Sequence, residues 1–210
     1  MLSRRGFLDG AAGVAGAAAA GPAQPSRPAG PYDLPAIEAQ LAKPARHRQV
    51  FAVQRVGDGH VLGMMRNALV AYEETLREGS GALHVAAVLY ANGAPLGLDD
   101  AAWRTYRLAD ASARRGDPIG RHGDGNPFLH DGSGSVEALT RRGASFFVCD
   151  NALGELATFL SAIAATTGDD PATVRADLRR HLVPGALLVP AGIATLNAAQ
   201  EARFTFAPGA

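Results

Sequence analysis

An α/β fold with a mainly parallel sheet covered on both faces is what this sequence predicts, and three observations predict it. Short apolar runs alternate with segments of helical period along the chain. The second of these runs, 82–90, reads Ala-Leu-His-Val-Ala-Ala-Val-Leu-Tyr with almost no polar alternation, as a strand does when both sheet faces are buried. Strand, helix, strand, helix in regular succession is the pattern of parallel strands joined by crossover helices.

Element by element, the run 49–54 is a first strand. From His60 to Arg77 the period changes, and Val61, Met65, Leu69, Tyr72 and Leu76, joined by Ala68, fall on one helix face until Gly79 and Gly81 stop it. The second strand follows. Asp99 is placed to cap a helix carrying Trp103, Tyr106 and Leu108. A third strand over 144–149 runs into a helix with the stripe Leu153, Leu156, Leu160 and Ile163, capped by Asp150 or Asn151 and ended by Gly168. Asp170-Pro171 opens a further helix with Val174, Leu178 and Leu182. The run 185–189 is a fourth strand, 191–200 a helix, and 203–206 a fifth strand.

The chain begins with a segment of another kind. Ser3-Arg4-Arg5-Gly6-Phe7-Leu8, followed by an Ala/Gly run to Gly21, has the paired arginines, apolar residues and small-residue end of a twin-arginine export signal. The run is too short and too rich in Gly and Ala for a stable membrane-spanning helix, which needs about 20 apolar residues. Residues 1–23 therefore read as a signal peptide, with cleavage after Ala20 or after Ala23, and the localisation as periplasmic or exported. Pro25, Pro28, Pro31 and Pro35 mark 24–46 as a Pro-rich linker with neither helix nor central strand. The packed domain is expected over 47–210, a single-domain length.

Of the 20 basic and 20 acidic residues of the full chain, Arg4, Arg5 and Asp9 leave with the signal, so the mature chain is close to neutral. That balance gives no electrostatic ground for binding nucleic acid or an anionic membrane. Gly57-Asp58-Gly59-His60-Val61-Leu62-Gly63 follows a strand and opens a helix as a dinucleotide fingerprint does. Its last glycine comes one residue late, however, and the second strand ends in Tyr90-Ala91-Asn92 with no acidic residue for a ribose. The phosphate-loop, nucleophile-elbow and zincin signatures are absent. No cofactor is assigned.

Cys149 is the lone cysteine, so it forms no intramolecular disulfide; it is packed, paired between chains, or reactive. It ends a strand, where open α/β sheets bind ligands, and precedes a helix whose free amide groups favour a thiolate. Adjacent Asp150 opposes that form if its carboxylate points inward. Free cysteine is also among the most buried residue types, so packing remains open. Gly57 and His60 after the first strand, Asn92 after the second and Asn151 after the third complete a candidate ligand crevice at the same edge. The glycine-rich segment 114–132 reads as a mobile, solvated loop. Its His122 and His130 are weak metal candidates with Cys149, because their eight-residue separation is not a recognised ligand spacing. No metal is assigned. His84, inside a strand, reads as a satisfied core residue.

The run Gly143-Ala144-Ser145-Phe146-Phe147-Val148-Cys149-Asp150-Asn151-Ala152, the segment Leu188-Val189-Pro190-Ala191-Gly192-Ile193-Ala194-Thr195-Leu196, and Gln200, with Asn67, Ala71 and Tyr72 upstream, resemble the DsrE/DsrF-like family. The resemblance spans about 47–208. It implies a DsrE-like three-layer α/β/α sandwich with a five-stranded sheet, assembly into homo-oligomers, and, as in some relatives, sulfur carried as a persulfide on the cysteine that Cys149 matches. Sulfur donor or acceptor proteins are then the expected partners, and the role requires an exposed Cys149 sulfur that a partner thiol can reach. Two other readings stand beside it: a noncatalytic module binding a small ligand or metal in the crevice, and an oligomeric partner-binding protein.

Overall fold

Five apolar runs pair into one all-parallel sheet. They are β1 (His47–Val53), β2 (Leu83–Leu89), β3 (Ser145–Cys149), β4 (Leu187–Val189) and β5 (Thr205–Pro208), in the order β4-β3-β2-β1-β5. This is a computed structural model, and it describes residues 31–121, 123–163 and 170–209. The signal-peptide assignment and the helix-ending role of Gly168 lie outside the described residues.

Alternation along the strands divides the core in two. Phe51, Val53, Val85, Ala87, Leu89, Phe146 and Val148 face one apolar cluster. Val50, Ala52, Ala86, Val88, Phe147 and Val189 face the other. The first face is covered by α2 (His60–Val70), α3 (Asp100–Thr105), α4 (Leu108–Arg114), α5 (Val136–Arg141), α6 (Asp150–Ala162) and α7 (Pro171–Arg180). The second is covered by α1 (Leu34–Leu41) and α8 (Gly192–Glu201). The fold is a three-layer α/β/α sandwich. All seven residues of β2 are buried, which is why that run carries no polar alternation.

The structure corrects several expectations. The linker expected to lack helix over 24–46 contains α1, and Leu41 is buried against the second face. Pro35 stands in the first turn of α1, where a missing N–H costs nothing, and the Asp33 carboxylate accepts the Ala36 N–H at 3.0 Å. In the helix after β1, Leu76 is exposed. A π turn over Ala71–Thr75 adds a residue to the turn and carries Leu76 off the buried face. Asp99 does cap α3, accepting the Ala102 N–H at 2.9 Å, but a left-handed Arg107 (φ 47°) breaks the helix, so Leu108 begins α4. Leu182 lies beyond α7 and bridges to Leu98.

The segment 114–132, most of whose described residues are exposed, is nevertheless tied down at several points. Asp117 is buried and its carboxylate accepts the N–H groups of Val56 (2.6 Å) and Gly57 (3.2 Å). Asn126, also buried, donates to the carbonyls of Leu98 (2.7 Å) and Leu96 (3.4 Å) and accepts the Phe128 N–H (3.0 Å). Phe128 and Leu129 enter the core. Polar side chains that satisfy backbone groups let an irregular segment be buried at little cost.

Candidate functional site

The connections of this sheet identify one edge. After β3 the chain turns into α6 on the first face, and after the neighbouring β4 it turns into α8 on the second. Adjacent parallel strands whose onward connections diverge leave a crevice at their carboxyl ends. Cys149 and Val189 are register partners at that point. The Pro190-Ala191 turn brings Gly192, the first residue of α8, onto the cysteine, and its N–H donates to Cys149 Sγ at 3.2 Å. Two segments 43 positions apart in sequence thus meet at one sulfur.

Of the readings the sequence left for Cys149, packing is the one its burial fits: a persulfide carrier was expected to present an open sulfur, whereas the residue is 5% exposed. Gly192 allows this. A Cβ there would come within 2.7 Å of Tyr90 Cβ, so only glycine lets the start of α8 close against Tyr90. Tyr32, from the turn before α1, packs against the cluster that includes Cys149.

Cys149 is also the N-cap of α6, without a side-chain capping bond, and Asp150, expected as a cap, is the first helical residue. Its carboxylate is wholly buried and turned to α7. Arg175 donates to it from Nε (3.2 Å) and Nη2 (2.8 Å), Arg179 from Nε (2.8 Å) and Nη2 (2.6 Å), and the Tyr32 hydroxyl at 2.8 Å. Burial pushes this carboxyl's pKa up, but the hydrogen bonds from Arg179, Arg175 and Tyr32 outweigh burial and hold it below the usual carboxylate range. The negative charge that opposed a thiolate at Cys149 is therefore matched by two guanidinium groups. Both arginines were missed in the sequence, although their spacing of four on α7 put them on one helix face.

Gly57 and His60 lie at the carboxyl end of β1 and line a cavity of about 630 Å³ with Arg66, Arg121 and Asp131. Three consecutive left-handed residues, Gly57, Asp58 and Gly59, shape its rim. Asn92, in the 3-10 segment Ala91–Gly97, donates to the Arg115 carbonyl at 3.4 Å, and Asn151 is exposed on α6. Neither lines that cavity, nor does Cys149, so the residues expected in one crevice stand in separate places. His122 lies outside the described residues. His130 is exposed, with Nε2 3.0 Å from Asp100 and Nδ1 3.0 Å from Glu137; those two hydrogen bonds raise its pKa. Among the described residues no cluster of three or more His, Cys, Asp or Glu is arranged to hold a metal ion, and no helix is long and apolar enough to cross a membrane.

No family model matches the chain, and no curated protein matches it. Among solved structures it is similar to a protein of unknown function from Methanobacterium thermoautotrophicum, at 18% identity and a TM-score of 0.41. The alignment covers 78% of this chain and 99% of that one.

Proposed function

We propose that this is an exported, DsrE-like sulfur carrier that holds sulfane sulfur as a persulfide on Cys149. The observation that supports it best is the Gly192 N–H donated to Cys149 Sγ at the edge where the onward connections of β3 and β4 diverge. A thiolate or persulfide anion at this position gains from that amide and from the start of α6. The two sequence segments with the strongest DsrE-like resemblance are those that touch there. In the loading step the Cys149 thiolate attacks the outer sulfur of a sulfane-sulfur donor. A new S–S bond forms, the donor's S–S bond breaks, and its electron pair leaves on the donor fragment, as sulfite when the donor is thiosulfate. A thiol partner then takes the outer sulfur by the same exchange and restores the Cys149 thiolate. Export by the twin-arginine route and assembly with further copies of the chain belong to the same reading. The enclosure of Cys149 counts against a carrier, so this reading requires the edge to open locally before transfer.

A second reading, a noncatalytic small-ligand module, finds support in the size of the cavity beside Gly57 and His60, although its lining is mainly polar and does not include Cys149.

Intact-mass measurement of the mature chain after incubation with thiosulfate or a polysulfide separates the two. The expected result is a gain of one sulfur that a thiol reductant removes, absent in Cys149→Ser. A gain in both proteins, or in neither, overturns the carrier reading and leaves the ligand module.

A further inference from the structure

We infer that the segment from Tyr32 to Leu41 is a strap whose amino end, latched by Tyr32 to Asp150, gates access to Cys149. The inference rests on the proposed role of Cys149 as the sulfur-bearing residue.

The two ends of the strap are held very differently. At the carboxyl end Leu41 is buried, the Ser145 hydroxyl donates to Gln40 Oε1 at 2.7 Å, and Arg48 Nη2 donates to the Lys43 carbonyl at 3.1 Å. These contacts anchor that end to the amino edge of β3 and to β1. At the amino end Leu34 is 56% exposed and contributes little apolar burial. There the half-buried Tyr32 ring packs on the first core cluster, and among the described residues its hydroxyl donates to Asp150 Oδ2 at 2.8 Å, bridging 118 positions of sequence.

Asp150 directly follows Cys149, so the latch closes on the residue beside the sulfur. The acceptor is also fixed in place, because Arg175 and Arg179 hold both of its oxygens. A rigid acceptor on the sheet, a half-buried tyrosine on the strap and a firm anchor at the far end of α1 together make a hinged cover. The amino end swings while the carboxyl end stays. Freeing this end costs one hydrogen bond to a charged group and the partial burial of Tyr32 and Ile37, whereas opening the edge from the α8 side requires moving a helix packed through buried Leu196 and Ala199.

The test is the rate at which iodoacetamide alkylates Cys149 in the native mature chain, followed by mass, for the parent, Tyr32→Phe and Tyr72→Phe. Tyr72 packs on His47 and serves as a control. Tyr32→Phe keeps the ring and removes the latch, and is expected to react about tenfold faster, with Tyr72→Phe at the parent rate. Equal rates in the parent and Tyr32→Phe overturn the latch. So does a parent rate already matching the urea-unfolded chain, or an increase no larger than the loss of global stability in urea predicts. Sulfur uptake is a separate readout. Faster alkylation of Tyr32→Phe with no sulfur gain in any protein keeps the strap and removes the carrier reading; sulfur gain with unchanged alkylation does the reverse.

Discussion

The His84 imidazole is held in one tautomer by its neighbours. Ser145 gives its single hydroxyl hydrogen to Gln40 Oε1, so its oxygen accepts from His84 Nε2 at 2.9 Å, which makes Nε2 the protonated nitrogen. Nδ1 is buried with no hydrogen-bond partner among the described residues, the Phe204 ring meets the imidazole edge-on, and Lys43 and Arg48 supply positive charge nearby. Burial, then those two cations, push the His84 pKa from 6.5 down to about 4. The unfolded chain therefore binds a proton at His84 that the folded chain resists. Its contribution to stability is complete above pH 6.5, falls as pH drops below that value, and is lost through about pH 4. Urea midpoints at pH 7 and pH 4.5 are expected to differ more for the parent than for His84→Gln; an equal difference would show that His84 does not titrate this way. The sequence supported reading His84 as a core residue, since an apolar strand surrounds it. Its tautomer depends on Ser145 and Gln40, 61 and 44 positions away, and no local pattern encodes that.

Among the elements, those whose signals are local were legible. Four strands, α6, α7 and α8 follow from apolar period and from signals such as Asp170-Pro171, where the Asp170 carboxylate accepts the N–H groups of Ala172 and Thr173. The fifth strand, expected over 203–206, lies at Thr205–Pro208 because left-handed Arg203 (φ 68°) still belongs to the turn. Features set by distant partners were not. Helix α1 was hidden because Pro35 was read, with the prolines before it, as a breaker, although it stands where a helix tolerates one. The turn at Val56 and Gly57 depends on Asp117, sixty residues further on and read as part of a solvated loop. Asp117→Ala leaves those two amides without their acceptor and is expected to cost about 1–3 kcal/mol, with Asp117→Asn, which keeps one acceptor oxygen, costing less; urea unfolding measures both. At the site, Cys149 was legible as a strand end with packing as one of its readings, but what closes on it was not, because Gly192 of α8 arrives from 43 positions away. Gly192→Ala forces a methyl group into Tyr90 and moves the amide off Cys149 Sγ. A loss of about 1–3 kcal/mol in urea and faster alkylation of the cysteine are expected together. Unchanged values of both would mean that α8 does not close the edge through this contact.

For the whole molecule, alternation predicted parallel strands but not their order, and the order determines which strand end is the crevice. The sheet runs β1 to β4 in one direction with α2 to α7 on a single face, and then returns to β5 through α8 on the other. Among the described residues that path gives the second face two helices, α1 and α8, and makes α1 part of the sandwich although the sequence assigned it to a linker. Leu41 and half-buried Ile37 pack there with Phe147, Val189 and Leu196. A chain beginning at Pro44 therefore loses one of the two covers of the second face. The cost is expected to resemble emptying a large apolar site, about 2–5 kcal/mol, seen as a lower urea midpoint and as new binding of a hydrophobic dye. The Tyr32 latch and the Gln40 anchor go with it, so Cys149 should alkylate at least as fast as in Tyr32→Phe. If the shortened chain keeps the parent's midpoint and slow alkylation, α1 is neither a layer of the fold nor a cover for the sulfur, and the enclosure of Cys149 belongs to α8 and Tyr90 alone.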